Sequence, residues 1–431
     1  MKIQQSSQLN AFGGINFIYQ DFDVLGLGDL FEENLPLLSP NSQYNWKDIL
    51  YSLFSIFFCG GDAIEDIGAH LGGHLKDNPY CKIPSPDTLL RRMGGLSVED
   101  RYCRCKRGSV DHHYNSNELL STVHIKLLKH LGAFEAPTLT LDYDNTIVYT
   151  EKKDSVLTYK KAPGYQPGVC TLNIDHIVYL ENRNGNSDAK AFQSDTLLRI
   201  FTLLDQQGIK PIDNFRADTA SYQFDVIRLL EEYVTHFYIG TRIDYVGKYL
   251  PQIDNWQQTT DIKGQEIWIG DTTYTPFDKK YKAQDGPPKV YRLVVKKKPN
   301  KDGQINLFTG EAFDYYAIIT NEFCKSAIQT FGFYHKRGAM EKQFDILKND
   351  FGWNHMPFST LAKNTVFLNL MAMCRNIYHR LIHRLSKKFK TIQPTFRIKK
   401  FIFKFIIIPA KWIYSSRQKI LKVHGQIAYK T

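Results

Sequence analysis

The chain has 431 residues, 43% of them hydrophobic, 23% charged and 13% aromatic. This balance excludes wholesale disorder, and at roughly 100–200 residues per domain it leaves room for two to four domains. No apolar run reaches the ~18–20 residues that a bilayer-spanning helix needs; the best, 401–414, is broken by Lys404, Pro409 and Lys411, so no membrane partner is expected.

Charge is unevenly placed. Of 55 Lys and Arg, 16 lie in residues 351–431, a stretch without a single acid, whereas the first 350 residues hold 39 basic against all 44 acidic residues. An acid-free basic segment of that size suits phosphates or an acidic surface, and nucleic acid is the favoured partner over a merely solvated tail. The seven cysteines are odd in number, scattered and without a CxxC pair, and residues 1–14 lack the apolar stretch of a secretory signal. A reduced, cytoplasmic protein is expected.

Residues 1–135 have helical texture. A helix is predicted over 46–60 and a second over 62–71, and Ser85 or Asp87 is placed to cap a third that carries Arg91 and Arg92. Short helices ending in paired arginines suit a helix-turn-helix reader of DNA, and suit an ordinary helical bundle equally well. From residue 137 the texture turns to Thr, Val, Ile and Tyr, and strands are predicted over 137–149, 169–174, 177–180, 214–217 and 236–239. Helices are predicted over 189–207 and 221–233, which makes 136–241 an α/β unit around a mixed sheet. Residues 242–316 read as a β-rich insertion with strands near 266–269, 289–296 and 315–319. The chain then returns to helix over 322–384. Five segments follow: 1–135, 136–241, 242–316, 317–385 and 386–431.

Three acidic sites stand out. Asp142 and Asp144 are two apart on a predicted strand and share one face. Acids there are costly unless bound, and a hard cation such as Mg²⁺ would compensate them, unless the strand simply ends in solvent. Asp218 follows a short apolar strand beside Arg216, at the carboxyl edge where α/β sheets hold ligands, or else it caps the next helix. Tyr334, Arg337, Glu341 and Lys348 are spaced three, four and seven apart, which on one helix puts all four on a single face. Tyr, Arg and Lys around a Glu would hold phosphate beside a metal carboxylate; an i,i+4 Arg–Glu pair on a solvated helix is the alternative.

The order Asp…Asp…Glu, with Tyr-x2-Arg-x3-Glu-x6-Lys around the Glu, resembles the DDE transposases of bacterial insertion sequences that carry a Tyr-Arg-Glu-Lys signature. The sequences 164–167 (GYQP) and 237–240 (FYIG) also look like landmarks of that family. The resemblance implies an α/β, ribonuclease-H-like catalytic domain with a β-rich insertion, an N-terminal helical DNA-end-binding domain and a basic C-terminus for DNA or dimerisation. Asp144, Asp218 and Glu341 match the metal-binding catalytic triad. Asp144 is preferred because 144–146 reproduces the family's Asp-x-Thr element, with Asp142 the alternative metal ligand. Tyr334, Arg337 and Lys348 match DNA-phosphate positions, and Arg91 and Arg92 join the DNA-binding set. Mg²⁺, with Mn²⁺ as substitute, is the implied cofactor. Double-stranded DNA (terminal inverted repeats and target) and a homodimer in the synapse are the implied partners, with a cytoplasmic, nucleoid-associated location. The implied activity is cut-and-paste transposition; a non-cleaving DNA-binding relative and a nuclease without strand transfer are the alternatives. No Gly-x4-Gly-Lys-Ser/Thr loop is present, so ATP is not expected. Cys103, Cys105, His112 and His113 fit no standard zinc spacing, and Trp256, Trp268 and Trp353 are candidate base-stacking platforms.

Overall fold

The β-branched and aromatic runs in the middle of the chain form one sheet. The computed structural model describes residues 9–104, 111–283 and 286–425. Among the described residues eleven strands join this sheet: β1 (Arg101–Arg104), β2 (Asp111–Asn115), β3 (Thr140–Asn145), β4 (Gly168–Leu172), β5 (His176–Arg183), β6 (Ile212–Ala217), β7 (Val234–Thr241), β8 (Gln257–Thr260), β9 (Glu266–Tyr274), β10 (Tyr291–Pro299) and β11 (Phe313–Thr320). Their spatial order is β1-β2-β5-β4-β3-β6-β7-β11-β10-β9-β8. β3 and β7 flank β6 in parallel, and every other neighbouring pair is antiparallel. The molecule is therefore a mixed α/β protein with a large mixed sheet.

Strand alternation gives this sheet two different faces. Leu141, Tyr143, Phe215, Ala217, Phe237, Ile239, Leu293 and Val295 point to one side. There they pack under helices Gln193–Gln206 and Phe224–Tyr233 through Leu197, Ile200, Phe201, Val226, Ile227 and Leu230. The opposite face receives helix Ala327–His335 on Ile267, Ile269, Val294 and Ile318, and it carries the polar residues discussed below.

A second core joins parts of the chain that are distant in sequence. Helices Ile15–Val24, Leu27–Asn34 and Trp46–Phe58, the 28-residue helix Leu361–Lys388 and the segment around Phe401 share one apolar cluster. Helix Trp46–Phe58 begins at a reciprocal cap, with Asp48 N–H donating to Asn45 and Asn45 N–H to Asp48. Helix Pro86–Gly94 is capped by Ser85, not Asp87. The long helix is tied to β5 by Asn376, whose amide donates to the Ile177 carbonyl (2.8 Å) and accepts from the Ile177 N–H (3.0 Å).

Two expectations are corrected, and two segments find their place in the fold. Residues 1–135 are not all helical: β1 and β2 form a hairpin that pairs with β5, and its polar Asp111–Asn115 strand has no apolar alternation to betray it. The helix expected over 62–71 instead forms at Ile67–Leu71 and Gly72–Leu75. The insertion does not stand apart from the sheet, because β11 pairs with β7 and continues it. The C-terminal basic stretch is no detached tail. Ile398, Phe401, Ile402, Phe405 and Ile406 are buried in the helical core, while Lys399, Lys400, Phe403 and Lys404 face outward. Chain ends also meet, through Asn10 paired with Ala410 and the Gly13 N–H donating to the Ile408 carbonyl.

Two measurements follow from this packing. Deleting the chain from Ser386 removes Ala410 and seven larger buried apolar side chains (Ile392, Phe396, Ile398, Phe401, Ile402, Phe405 and Ile406), each of the seven contributing about 1.5–3 kcal/mol. The truncated protein is expected to lose its cooperative thermal transition rather than remain folded with weaker DNA affinity; replacing Lys399, Lys400 and Lys404 with Gln should leave that transition in place. Burial also holds three histidines neutral: His124 is depressed to about 3, His176 to about 4 and His379 to about 2, from an ordinary 6.5. The unfolded chain takes up these protons first, so stability is full above about pH 6.5 and falls as pH drops toward the folded values. The melting temperature should therefore decline between about pH 7 and pH 5, and less steeply in His124→Gln. A flat profile would contradict the buried-neutral assignment.

Candidate active site

The polar face of the sheet gathers the acids. Asp142 on β3 is fully buried, and both of its oxygens accept from Arg216 on the adjacent β6, from Nε and Nη2 at 2.7 Å each. Arg216 Nη1 donates onward to the Phe333 carbonyl at 2.7 Å. The burial cost of Asp142 is thus met by an arginine, which takes up both oxygens of the residue expected as the alternative metal ligand.

Asp144, two residues on, remains at the margin of the site. Its Oδ2 accepts from Arg337 Nη1 at 2.9 Å, and burial, then the neighbouring Asp218 charge, raises its carboxyl to about 6. Asp218 leaves the end of β6 and accepts the Ala220 N–H at 2.9 Å, capping the short turn Thr219–Ser221. The capping alternative is therefore real, and it coexists with the approach to Asp144. Tyr334 lies against β7: a Cβ at Gly240 would sit 2.6 Å from its hydroxyl oxygen, so a larger residue there would displace the tyrosine tip. Burial raises the Tyr334 hydroxyl and Arg337 draws it back. Lys348 donates to Thr146 Oγ1 at 2.7 Å, and burial lowers its ammonium.

The four signature residues do not share one helix. Tyr334 ends helix Ala327–His335, Arg337 lies in the tighter turn Lys336–Ala339, and Glu341 and Lys348 belong to helix Met340–Asp350. That break lets Arg337 reach Asp144 while Lys348 reaches Thr146, so two residues of the segment grip the two ends of the Asp-x-Thr element. Glu341 stays exposed in the first turn of its helix and makes no hydrogen bond or ion pair among the described residues. Among those residues no group of three His, Cys, Asp or Glu is placed to hold a metal ion. Asp144 and Asp218 alone approach one another, and their hard oxygens and mutual repulsion fit a divalent cation.

Arg91 is exposed and Arg92 donates to Ser42 Oγ at 2.6 Å; both stand on the helical unit and touch none of the acids. Trp353 is fully buried in the helical core and offers no stacking face. Trp268 packs edge-on against Phe313, and Trp256 lies under Lys297. Of the zinc set, Cys105 lies outside the described residues, and His112 is buried with Nδ1 3.2 Å from Ser187 Oγ. Sequence reasoning gave no role to Arg216, although a lone arginine inside an apolar strand signals a buried acid partner.

A family model described as "Transposase DDE domain group 1" matches residues 39–431. The chain belongs to this family. Members are DDE transposases, DNA-cleaving enzymes that generally use divalent metals. No curated protein matches the chain. Among solved structures, a piggyBac transposase synaptic complex with hairpin DNA aligns at 10% identity and a TM-score of 0.42, covering 93% of this chain and 83% of the other. A Mos1 transposase paired-end complex with left transposon end aligns at 11% identity and 0.18, covering 54% and 68%. Among the described residues of this transposase-family chain, no helix is long and apolar enough to cross a membrane.

The two acids of β3 should respond oppositely to neutralisation. Asp142→Asn leaves Arg216 buried and unpaired, at a cost of about 3–5 kcal/mol in urea unfolding. Asp144 has a folded pKa raised to about 6, so its charge opposes folding above that pH, and Asp144→Asn should lose no stability at neutral pH. Equal destabilisation of both variants would sink the assignment.

Proposed function

We propose that this chain is a transposase of a bacterial insertion sequence that binds terminal inverted repeats, cleaves the element's ends and joins their 3′ ends to target DNA. The observation that carries the reading is the coupled pair Asp144 and Asp218, with Arg337 and Lys348 fixed on either end of the Asp-x-Thr element, in a chain of the DDE family. Strand order β5-β4-β3-β6-β7, antiparallel for the first three and parallel thereafter, supports a ribonuclease-H-like catalytic unit. Asp144, Asp218 and Glu341 would hold Mg²⁺, or Mn²⁺ in its place. Such ions activate water or a 3′-hydroxyl and stabilise charge on the phosphate under attack.

The remaining groups position DNA. Arg337, now neutralising Asp144, is freed for a phosphate once a cation takes over that charge. Its Nε is buried without a partner, which gives it a donor to spare. Tyr334 lies beside Arg337, and Lys348 is held on Thr146, both on the helical side of the sheet. The helical unit with Arg91 and Arg92 serves end recognition, and the outward lysines of the C-terminal segment add phosphate contacts. A dimer would handle two ends together.

The test is cleavage of a labelled duplex carrying the element's end with Mg²⁺. Asp144→Asn, Asp218→Asn and Glu341→Gln should each reduce cleavage to background while leaving end binding within about threefold of wild type, because none of them removes a phosphate contact. Undiminished cleavage in Glu341→Gln would remove it from the triad. Cleavage without covalently joined product would favour the nuclease alternative.

A further inference from the structure

Contacts run without a gap from Asp144 out across the β10 and β11 strands. The Arg337 guanidinium lies 5.9 Å from the centre of the Tyr334 ring, and the Tyr334 and Phe331 rings are 6.3 Å apart, edge to face. The Lys296 ammonium is 5.2 Å from the Phe331 ring and 4.6 Å from that of Tyr316. Lys298 lies 5.3 Å from the same Tyr316 ring. Tyr316 stands opposite Lys296 in the ladder, and alternation puts Lys296 and Lys298 on the same side of β10, the side that carries the acids. Lys297 points the other way, over Trp256 and Phe313, and pairs with Glu311.

This arrangement is poorly balanced in charge. Two lysines share one tyrosine ring; Lys298 has Asp314 at 3.7 Å, and Lys296 has the Asp261 charge in its surroundings but forms no ion pair among the described residues. Burial and the Lys298 charge pull the Lys296 ammonium below its ordinary value. Tyr316, the residue between them, is 44% exposed. Cations flanking an open aromatic face suit a nucleic-acid strand with free base faces, since phosphates take the cations and a base takes the ring. A paired duplex offers no such base face.

We propose that Lys296, Tyr316 and Lys298 form a track that leads an unpaired DNA strand away from Asp144 and Asp218, with the lysines on its phosphates and Tyr316 stacked on a base. The inference rests on the DNA-cleaving reading above and assigns a ligand to a surface that the acids themselves do not explain.

The test uses the full chain without divalent cation, so that nothing is cut. Fluorescence anisotropy compares a random-sequence blunt duplex with the same duplex bearing a short unpaired tail, over a range of salt. Wild type should bind the tailed DNA more tightly. The double variant Lys296→Gln with Lys298→Gln should lose about tenfold or more on tailed DNA and flatten its salt slope by about 1.4, roughly 0.7 per lysine on a single strand. Tyr316→Ala should lose about fivefold or more on tailed DNA only, and Tyr316→Phe should retain wild-type binding, because the ring and not the hydroxyl stacks. Lys296→Arg with Lys298→Arg should also retain it, which separates charge from folding. Lys297→Met, on the opposite face, should change nothing. Equal binding of tailed and blunt DNA by wild type, or equal losses on both in the variants, overturns the track. Failure of wild type to bind either DNA overturns the transposase reading itself.

Discussion

Arg216 holds three elements in one arrangement. Its guanidinium closes a two-pronged ion pair with Asp142 on β3 and caps the Phe333 carbonyl on the helix that lies across the sheet. Asp144 is two residues from Asp142 and so emerges on the same face; Asp218 is two residues from Arg216; Tyr334 is the neighbour of Phe333. Fixing one guanidinium therefore fixes the starting points of both candidate acids and of the tyrosine beside them. The pair is buried and costly to desolvate, but its geometry satisfies both carboxylate oxygens, and that directional match ties strand register to helix position in a way that apolar contact alone does not.

Around this clamp the sheet separates two kinds of chemistry by alternation. Leu141, Tyr143, Phe215 and Ala217 are apolar and covered by helices, whereas Asp142, Asp144 and Arg216, which alternate with them, lie on the opposite face. The site itself is tense. Asp144 and Asp218 repel each other in a half-enclosed setting, and Arg337 supplies the balancing charge. The arginine offsets a charge that burial and Asp218 make costly, which is why the Asp144 carboxyl, though paired, is still raised to about 6. The same logic extends along β10, where lysines lie close together with little acid to offset them.

Much of the site was legible before any fold was known. The Tyr-x2-Arg-x3-Glu-x6-Lys spacing and the Asp-x-Thr element singled out residues of which Arg337 bonds Asp144 and Lys348 bonds Thr146. The spacing could not show that the helix breaks at Lys336–Ala339, because nothing in a helical repeat tells whether a turn tightens under the pull of partners on another strand. Nor could it rank Asp142 against Asp144 on physical grounds, since that depends on which side chain of the neighbouring strand arrives opposite. Arg216 does, in register with Asp142. Trp353 looked as available for stacking as Trp256, and only packing buried it.

The sequence by itself determined the alternating strands of the middle, the helices that cover them, the family signature and the concentration of cations after Asp350, because periodicity, spacing and charge are local properties of the chain. Tertiary structure alone decided the rest. It decided that the insertion strands extend the main sheet, through edge pairing between β7 and β11. It turned the basic C-terminus into an amphipathic layer of the helical core, with apolar side chains inward and lysines outward. It gave each buried acid its partner. Those outcomes depend on which distant groups meet, and the free energy of burying a charge or completing a sheet edge is set by the group that arrives, not by the residue that waits.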